Sequence, residues 1–331
     1  MPDAPETALV ENYLQYLQTQ RKLSSHTLEN YQRDLMQLGE FAREYKRTSL
    51  ASMTPFDLRR VAAQLHGRGM SPSSISRKLS AWRGFFGWMA IHHGLTLNPA
   101  EGVKPPKRAK ALPKALGVED AVKLVSTRPS DEAAQSGQQT RTPLQTLCNL
   151  AMFELLYSSG LRVSELTSLD VHYVQSREHR SSAWIDLSAA ELTVTGKGGK
   201  RRTVPIGAAA LAAMRAWLPH REALLGSTNS PETHALFITG RGRRITPRAV
   251  QQRIKDHARA IGIPADVHPH MLRHSFASHL LQSSGDLRAV QEMLGHASIA
   301  STQVYTSLDF QRLAQVYDAA HPRARRRGSE G

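Results

Sequence analysis

A chain of 331 residues suffices for two domains, each burying its own core, and 40% hydrophobic with 21% charged residues exclude a disordered polymer. Against 28 Asp and Glu stand 43 Lys and Arg, and the resulting net charge of +15 favours a polyanionic partner, nucleic acid before an anionic membrane surface. The single cysteine, Cys148, excludes an intramolecular disulfide and a cysteine-based zinc site; no apolar run is long enough for a bilayer, and the opening MPDAPETALVENYL lacks a signal-peptide pattern, so a cytoplasmic protein is expected.

Residues 1–103 read as a small helical domain. Leu9, Tyr13, Leu14 and Leu17 recur at helical spacing, and KLSSHTLENYQRDL starts a second helix capped by Ser24 or Ser25, with Leu28, Tyr31, Leu35 and Leu38 as its stripe. A third segment runs from Pro55 to His66. In the fourth, Ile75, Leu79, Trp82, Phe86 and Met89 point inward, while Ser73, Ser74, Arg77, Lys78 and Arg83 lie at or beside the other face. Hydroxyls at a helix start followed by basic residues suit phosphate contacts, although a capped, solvated helix is the preferred account of this segment alone.

Residues 104–114, KPPKRAKALPK, carry five positive charges and no negative one, with three prolines. This is an extended basic linker, and it marks the domain boundary.

Residues 115–331 mix periods. GVEDAVKLVST starts a helix with Val118, Ala121, Val122 and Leu124 or Val125 inward, and the polar stretch near 127–143 reads as a surface loop of no assigned function. Leu144 to Tyr157 is a buried helix containing Cys148. LRVSELTSL follows at once, with Arg162 in its first turn and Glu165 three residues on, placed to hold its guanidinium. From Ala183 the period becomes two: AWIDL, ELTVTG and KRRTVPI predict a small antiparallel sheet, with Lys197 on the tight GKGG loop. Then come a helix (LAAMRAWLPHREALL), a short strand (ALFIT), a basic turn (TGRGRRI) and a helix opened by Thr246-Pro247, whose Arg248, Gln252 and Lys255 form a basic face.

From His268 to Tyr305 the chain concentrates His270, Arg273, His274, His279, His296 and Tyr305 on short helices. His270 and Arg273 are one helical turn apart, and Gly295 sits where the apolar pattern stops, as a C-cap would. A guanidinium fork, imidazoles and a phenol suit a bound phosphate: the fork for its oxyanions, an imidazole for a proton, the phenol as nucleophile. A last helix, LDFQRLAQVYDAAHP, carries Phe310, Leu313, Val316 and Tyr317 inward, before a basic tail.

Taken together, Arg162, Lys197, His270, Arg273, His296 and Tyr305, in the contexts GLRVSEL, TGKGGKRR, HPHMLRHSFASH and MLGH, resemble the tyrosine recombinase (phage integrase) family. LSSHTLENYQRDL and SLDFQRLAQVYDAAHPRA extend the likeness to the bacterial Xer recombinases, nearer the XerC than the XerD branch. The resemblance implies a mainly α fold with a small antiparallel β-sheet: a helical, SAM-like core-binding domain (1–103) and a catalytic domain (115–331) closing as a C-shaped clamp on duplex DNA. It implies six catalytic residues. Arg162 and Arg273 clamp the non-bridging oxygens, His296 adds a hydrogen bond, and Tyr305 attacks phosphorus while His270 takes its proton. Lys197 protonates the leaving 5′-oxygen. The 3′-phosphotyrosyl intermediate conserves bond energy, so no ATP, metal or other cofactor is needed. The resemblance also implies chromosome-dimer resolution at a dif-like site, a XerD-like partner in a two-plus-two heterotetramer, a septal DNA translocase of the FtsK type, and a last helix that docks into a neighbouring protomer, with packing on its own domain as the alternative. Competing readings are a type IB topoisomerase, which needs neither synapsis nor helix exchange, a non-catalytic DNA-binding regulator, a phage integrase with an added arm-binding domain, and, last, a zinc site at His270, His274 and His279.

Overall fold

The computed structural model describes residues 4–107, 115–128, 143–196, 199–228, 232–263, 266–295 and 307–324. The chain divides into two compact units, Met1–Ala111 and Leu112–Gly331.

The first unit is built from α1 (Ala4–Thr19), α2 (Ser25–Glu44), α3 (Pro55–Gly67) and α4 (Pro72–His92), with a 3-10 turn at Leu50–Ser52. The starts of α2, α3 and α4 have side-chain caps. The Ser24 hydroxyl accepts from the Thr27 amide, Thr54 and Asp57 cap each other's amides, and Ser71 accepts from Ser74. The core joins Tyr13, Leu35, Leu38, Leu58, Val61, Ile75, Leu79, Trp82 and Phe86, as the stripes require. Tyr13 stands edge-on to Phe85, with ring centroids 5.5 Å apart.

The polar face of α4 differs from expectation. Asp34 is buried on α2 and draws in both Arg77 and Lys78; the Lys78 ammonium lies 2.7 Å from its carboxylate and the residue is only 7% exposed. Trp82 donates its indole N–H to the Asp34 carbonyl, and Arg83 donates to the Val103 carbonyl. A buried carboxylate needs counter-charge, so Lys78 is spent on the fold instead of facing outward.

The second unit contains α5 (Val118–Ser126), α6 (Pro143–Ser159), α7 (Val163–Thr167), four strands, α8 (Ala208–Gly226), α9 (Pro247–Ala260), α10 (Pro269–Ser284), α11 (Leu287–Leu294) and α12 (Ser307–Ala320). The strands β1 (Leu169–Asp170), β2 (Ala183–Asp186), β3 (Glu191–Thr195) and β4 (Arg201–Pro205) lie in that order. The three predicted strands are antiparallel neighbours, with Leu192 opposite Val204 and Val194 opposite Arg202; β1 adds to β2 in parallel and makes the sheet mixed. ALFIT does not form a strand: Ala235 and Ile238 make isolated bridges to Asp170 and Arg244, and the segment is buried by Trp217 and its neighbours. Val118, expected inward, is 42% exposed, because at the first position of α5 it precedes the turn that meets the core.

Cys148 is buried in α6 as expected, and burial pushes its thiol up to about 12. The polar stretch near 127–143 lies largely outside the described residues. The last helix packs on its own unit. Leu313 and Tyr317 of α12 join the core, Ala208 donates to the Ala324 carbonyl, and Arg323 grips the buried Glu154 with two bonds of 2.8 Å. No helix among the described residues is long and apolar enough to cross a membrane.

Candidate active site

Arg162 is the N-cap residue of α7, one position before the expected first turn, because Glu165 accepts its amide hydrogen at 2.8 Å. The same carboxylate takes the Arg162 guanidinium at 2.8 Å, as the i, i+3 spacing anticipated. The Arg162 side chain remains 40% exposed, so its outer N–H groups face solvent.

Helix α10 supplies the next part. Pro269 occupies its first turn and His268 accepts the Met271 amide hydrogen, which fixes where His270 and Arg273 project. The two residues neighbour each other on the helix, yet His270 is exposed and Arg273 is 5% exposed. Arg273 donates to the Gly160 carbonyl at 2.6 Å and the Leu294 carbonyl at 2.5 Å, and stands 3.7 Å from Glu165. Gly160 has φ +58°, and the Phe276 ring fills the space a side chain would need there, so the carbonyl is held toward Arg273.

The electrostatics follow from this crowding of cations. Burial and then the charge of Arg162 lower Arg273 to about 10, which leaves it a cation at neutral pH. Burial, and then the neighbouring His268, Arg273, His274 and Arg162, depress the His270 pKa, which favours its neutral, proton-accepting form. Burial alone would raise Glu165, but the hydrogen bonds and charge of Arg202 and those of Arg162 hold it down to about 2.

Arg202 is the residue the sequence reading missed. Its Nη1 and Nη2 fork onto the two Glu165 oxygens, both at 2.8 Å, and its Nε donates to the Met293 carbonyl at 2.8 Å. The signal was available: alternation along β4 puts Arg202 on the same face as buried Val204, a register where a cation must have a partner.

Lys197, His296 and Tyr305 lie outside the described residues, as do the linker residues 108–114. What flanks them is described. The Gly196 amide donates to the Lys200 carbonyl at 2.8 Å and closes the β3–β4 hairpin that carries Lys197. Gly295 ends α11 with φ +65°, as the C-cap reading required, and a Cβ there would stand 3.1 Å from the Arg202 stem. Gly295→Ala is therefore expected to cost about 1–2 kcal/mol, from left-handed strain plus this crowding. A denaturant melt checks it; a variant as stable as the parent refutes the account.

His279 does not belong to the site. Its Nδ1 accepts from the Tyr157 hydroxyl at 2.9 Å, and its Nε2 donates to the Leu116 carbonyl at 2.9 Å. Both ring nitrogens are occupied, so His279 cannot join His270 and His274 around a metal without breaking the core.

Residues 130–312 match the Phage integrase family, and residues 10–92 match the Phage integrase, N-terminal SAM-like domain. The Tyrosine recombinase XerC of Ralstonia pickettii is 52% identical over 318 residues, covering 95% of this chain and 94% of that protein. The protein of the same name from Pseudomonas aeruginosa is 42% identical over 321 residues, 97% and 96% of the two chains. Among solved structures, XerH site-specific recombinase bound to a palindromic difH substrate in a post-cleavage complex superposes with a TM-score of 0.65 at 20% identity, over 96% of this chain and 97% of that one. A lambda integrase dimer bound to a COC′ core site gives 0.60 at 18% identity, over 90% and 99%. At such identities these two likenesses show the fold.

Proposed function

Since the chain belongs to the phage integrase family of tyrosine recombinases, enzymes that cut and rejoin DNA, we propose that it does so through Arg162, Lys197, His270, Arg273, His296 and Tyr305. The observation that carries this assignment is the convergence of Arg162 and Arg273 on Glu165, with neutral-leaning His270 one helical turn from Arg273.

A phosphodiester resists attack because its oxyanions repel nucleophiles. Arg162 and Arg273 neutralise the non-bridging oxygens, and His296 adds a donor as charge builds. The Tyr305 hydroxyl attacks phosphorus, His270 accepts its proton, and Lys197 protonates the departing 5′-oxygen. One phosphodiester replaces another, so the 3′-phosphotyrosyl bond stores the energy for rejoining. Attack by the original 5′-hydroxyl restores the strand, and attack by another strand's recombines.

At the biological level, the reading is resolution of chromosome dimers in the cytoplasm during segregation and division. It takes place at a dif-type duplex site, in a two-plus-two heterotetramer with a XerD-like recombinase, under a septal translocase of the FtsK type. The likeness to XerC proteins over nearly the whole chain supports it.

A nicked duplex bearing the cognate chromosomal site tests the chemistry, because cleavage then releases a short strand and traps the enzyme. The wild-type protein is expected to give a covalent adduct on a denaturing gel in EDTA, with no nucleotide added. Dependence on a divalent metal, or no adduct on DNA that the protein binds, would overturn the mechanism. Adding the XerD-like partner and scoring joined products then separates recombination from relaxation.

A further inference from the structure

Arg202 is 5% exposed and lies too deep to meet DNA, yet all three of its donor positions are engaged. Two hold Glu165, on the turn that begins with Arg162; the third holds Met293, in the last turn of α11, three residues before His296. Its stem packs on Gly295, and its strand is the return arm of the hairpin that carries Lys197. One side chain thus ties together three separate segments of the site.

The hydrogen-bond arrangement at Glu165 shows what this accomplishes. Oε1 accepts from the Arg162 and Arg202 guanidiniums, and Oε2 accepts from the Arg162 amide and from Arg202. Both oxygens are filled, and Arg273 stands back at 3.7 Å with its two Nη atoms on backbone carbonyls. Without the Arg202 fork, Glu165 would have open lone pairs facing the next cation, Arg273. A direct carboxylate–guanidinium pair there would compete with the phosphate for the same charge.

We infer that Arg202 is a positioning residue: it saturates and orients Glu165 so that Arg162 and Arg273 remain available to the scissile phosphate, and it fixes the end of α11. The inference rests on the phosphotyrosyl reading above. Lysine at 202 keeps the charge and loses the fork, so Arg202→Lys is the informative variant.

The experiment measures adduct formation by the full-length protein on two nicked duplexes. One carries the natural scissile phosphate, the other a methylphosphonate, in which an uncharged methyl replaces one oxyanion. On phosphate DNA, at a temperature where both proteins are folded, Arg202→Lys is expected to cleave about 100-fold more slowly than wild type with DNA affinity nearly unchanged. On methylphosphonate DNA the clamp has less charge to neutralise, and the gap should shrink to about tenfold or less. An equal loss on both substrates, which a merely structural defect gives, overturns the inference, as does a wild-type rate. If Arg202→Lys does not fold, Glu165→Gln takes its place and must show the same substrate-selective loss. Failure of the wild-type protein on the natural phosphate duplex instead sinks the nucleophile reading itself.

Discussion

Replacing Tyr305 with phenylalanine is expected to abolish the covalent adduct on nicked DNA while leaving DNA affinity within about twofold. The substitution removes one oxygen atom and keeps the ring, so whatever the side chain contributes by packing is retained. Chemically it removes everything, because a benzene ring has no lone pair to offer phosphorus. Loss of a nucleophile that acts as one unit with its base and clamp costs on the order of 10⁴–10⁶ in rate. Binding follows different groups. The net charge of +15 and the guanidiniums of Arg162 and Arg273 are untouched, and phosphate neutralisation supplies most of the affinity for duplex DNA. The measurement pairs a denaturing gel with a native gel at one salt concentration. An adduct formed by the phenylalanine variant would assign the nucleophile elsewhere; loss of DNA binding with the adduct would turn Tyr305 into a structural residue.

Most of the scaffold was legible because its signals are local. The cap at Ser24, stripes such as Leu35–Leu38 and Ile75–Leu79–Trp82, and the change to period two at Ala183 each need only neighbouring residues. What escaped needs partners far away in sequence. A two-residue strand at Leu169 shows no period, and it exists because Ala183 and Trp184 offer it an edge. ALFIT has a strand's composition, but its backbone meets only single bridges. Lys78 has the pattern of an outer residue until Asp34, 44 positions earlier, is placed beside it. Arg202 was hidden in the same way: in a basic run, KRR, three charges look like one solvated or DNA-facing patch. Alternation separates them, with Arg201 exposed and Arg202 turned inward to Glu165, 37 positions back. The site shows the same divide. Arg162–Glu165 and His270–Arg273 were readable as i, i+3 pairs, whereas the meeting of the two pairs is a tertiary fact.

That meeting makes Glu165→Leu the second large effect. Glu165 is 4% exposed and is the shared counter-charge of Arg162 and Arg202, with Arg273 near by. Leucine fills similar volume but leaves the buried Arg202 and Arg273 without an anion, a loss of about 3–5 kcal/mol of stability at neutral pH. Cleavage by the fraction that still folds should fall by about 10²–10³, because the two guanidiniums proposed to clamp the phosphate lose their fixed orientation. The pH dependence isolates the carboxylate from simple repacking. Its pKa is depressed from the usual 4.5 to about 2 in the folded protein. A depressed carboxylate contributes stability that is fully present above the unfolded value, and that stability is lost as pH falls toward the folded one. Between pH 7 and pH 3 the wild type should therefore lose about 2 kcal/mol through this group alone, at 1.36 kcal/mol per unit of pKa. Glu165→Leu has no such group, so the gap between the two proteins should narrow by that amount in urea melts at the two pH values. A gap that stays constant from pH 7 to pH 3 would mean that leucine disturbs packing, and that Glu165 is not the anion on which the clamp is built.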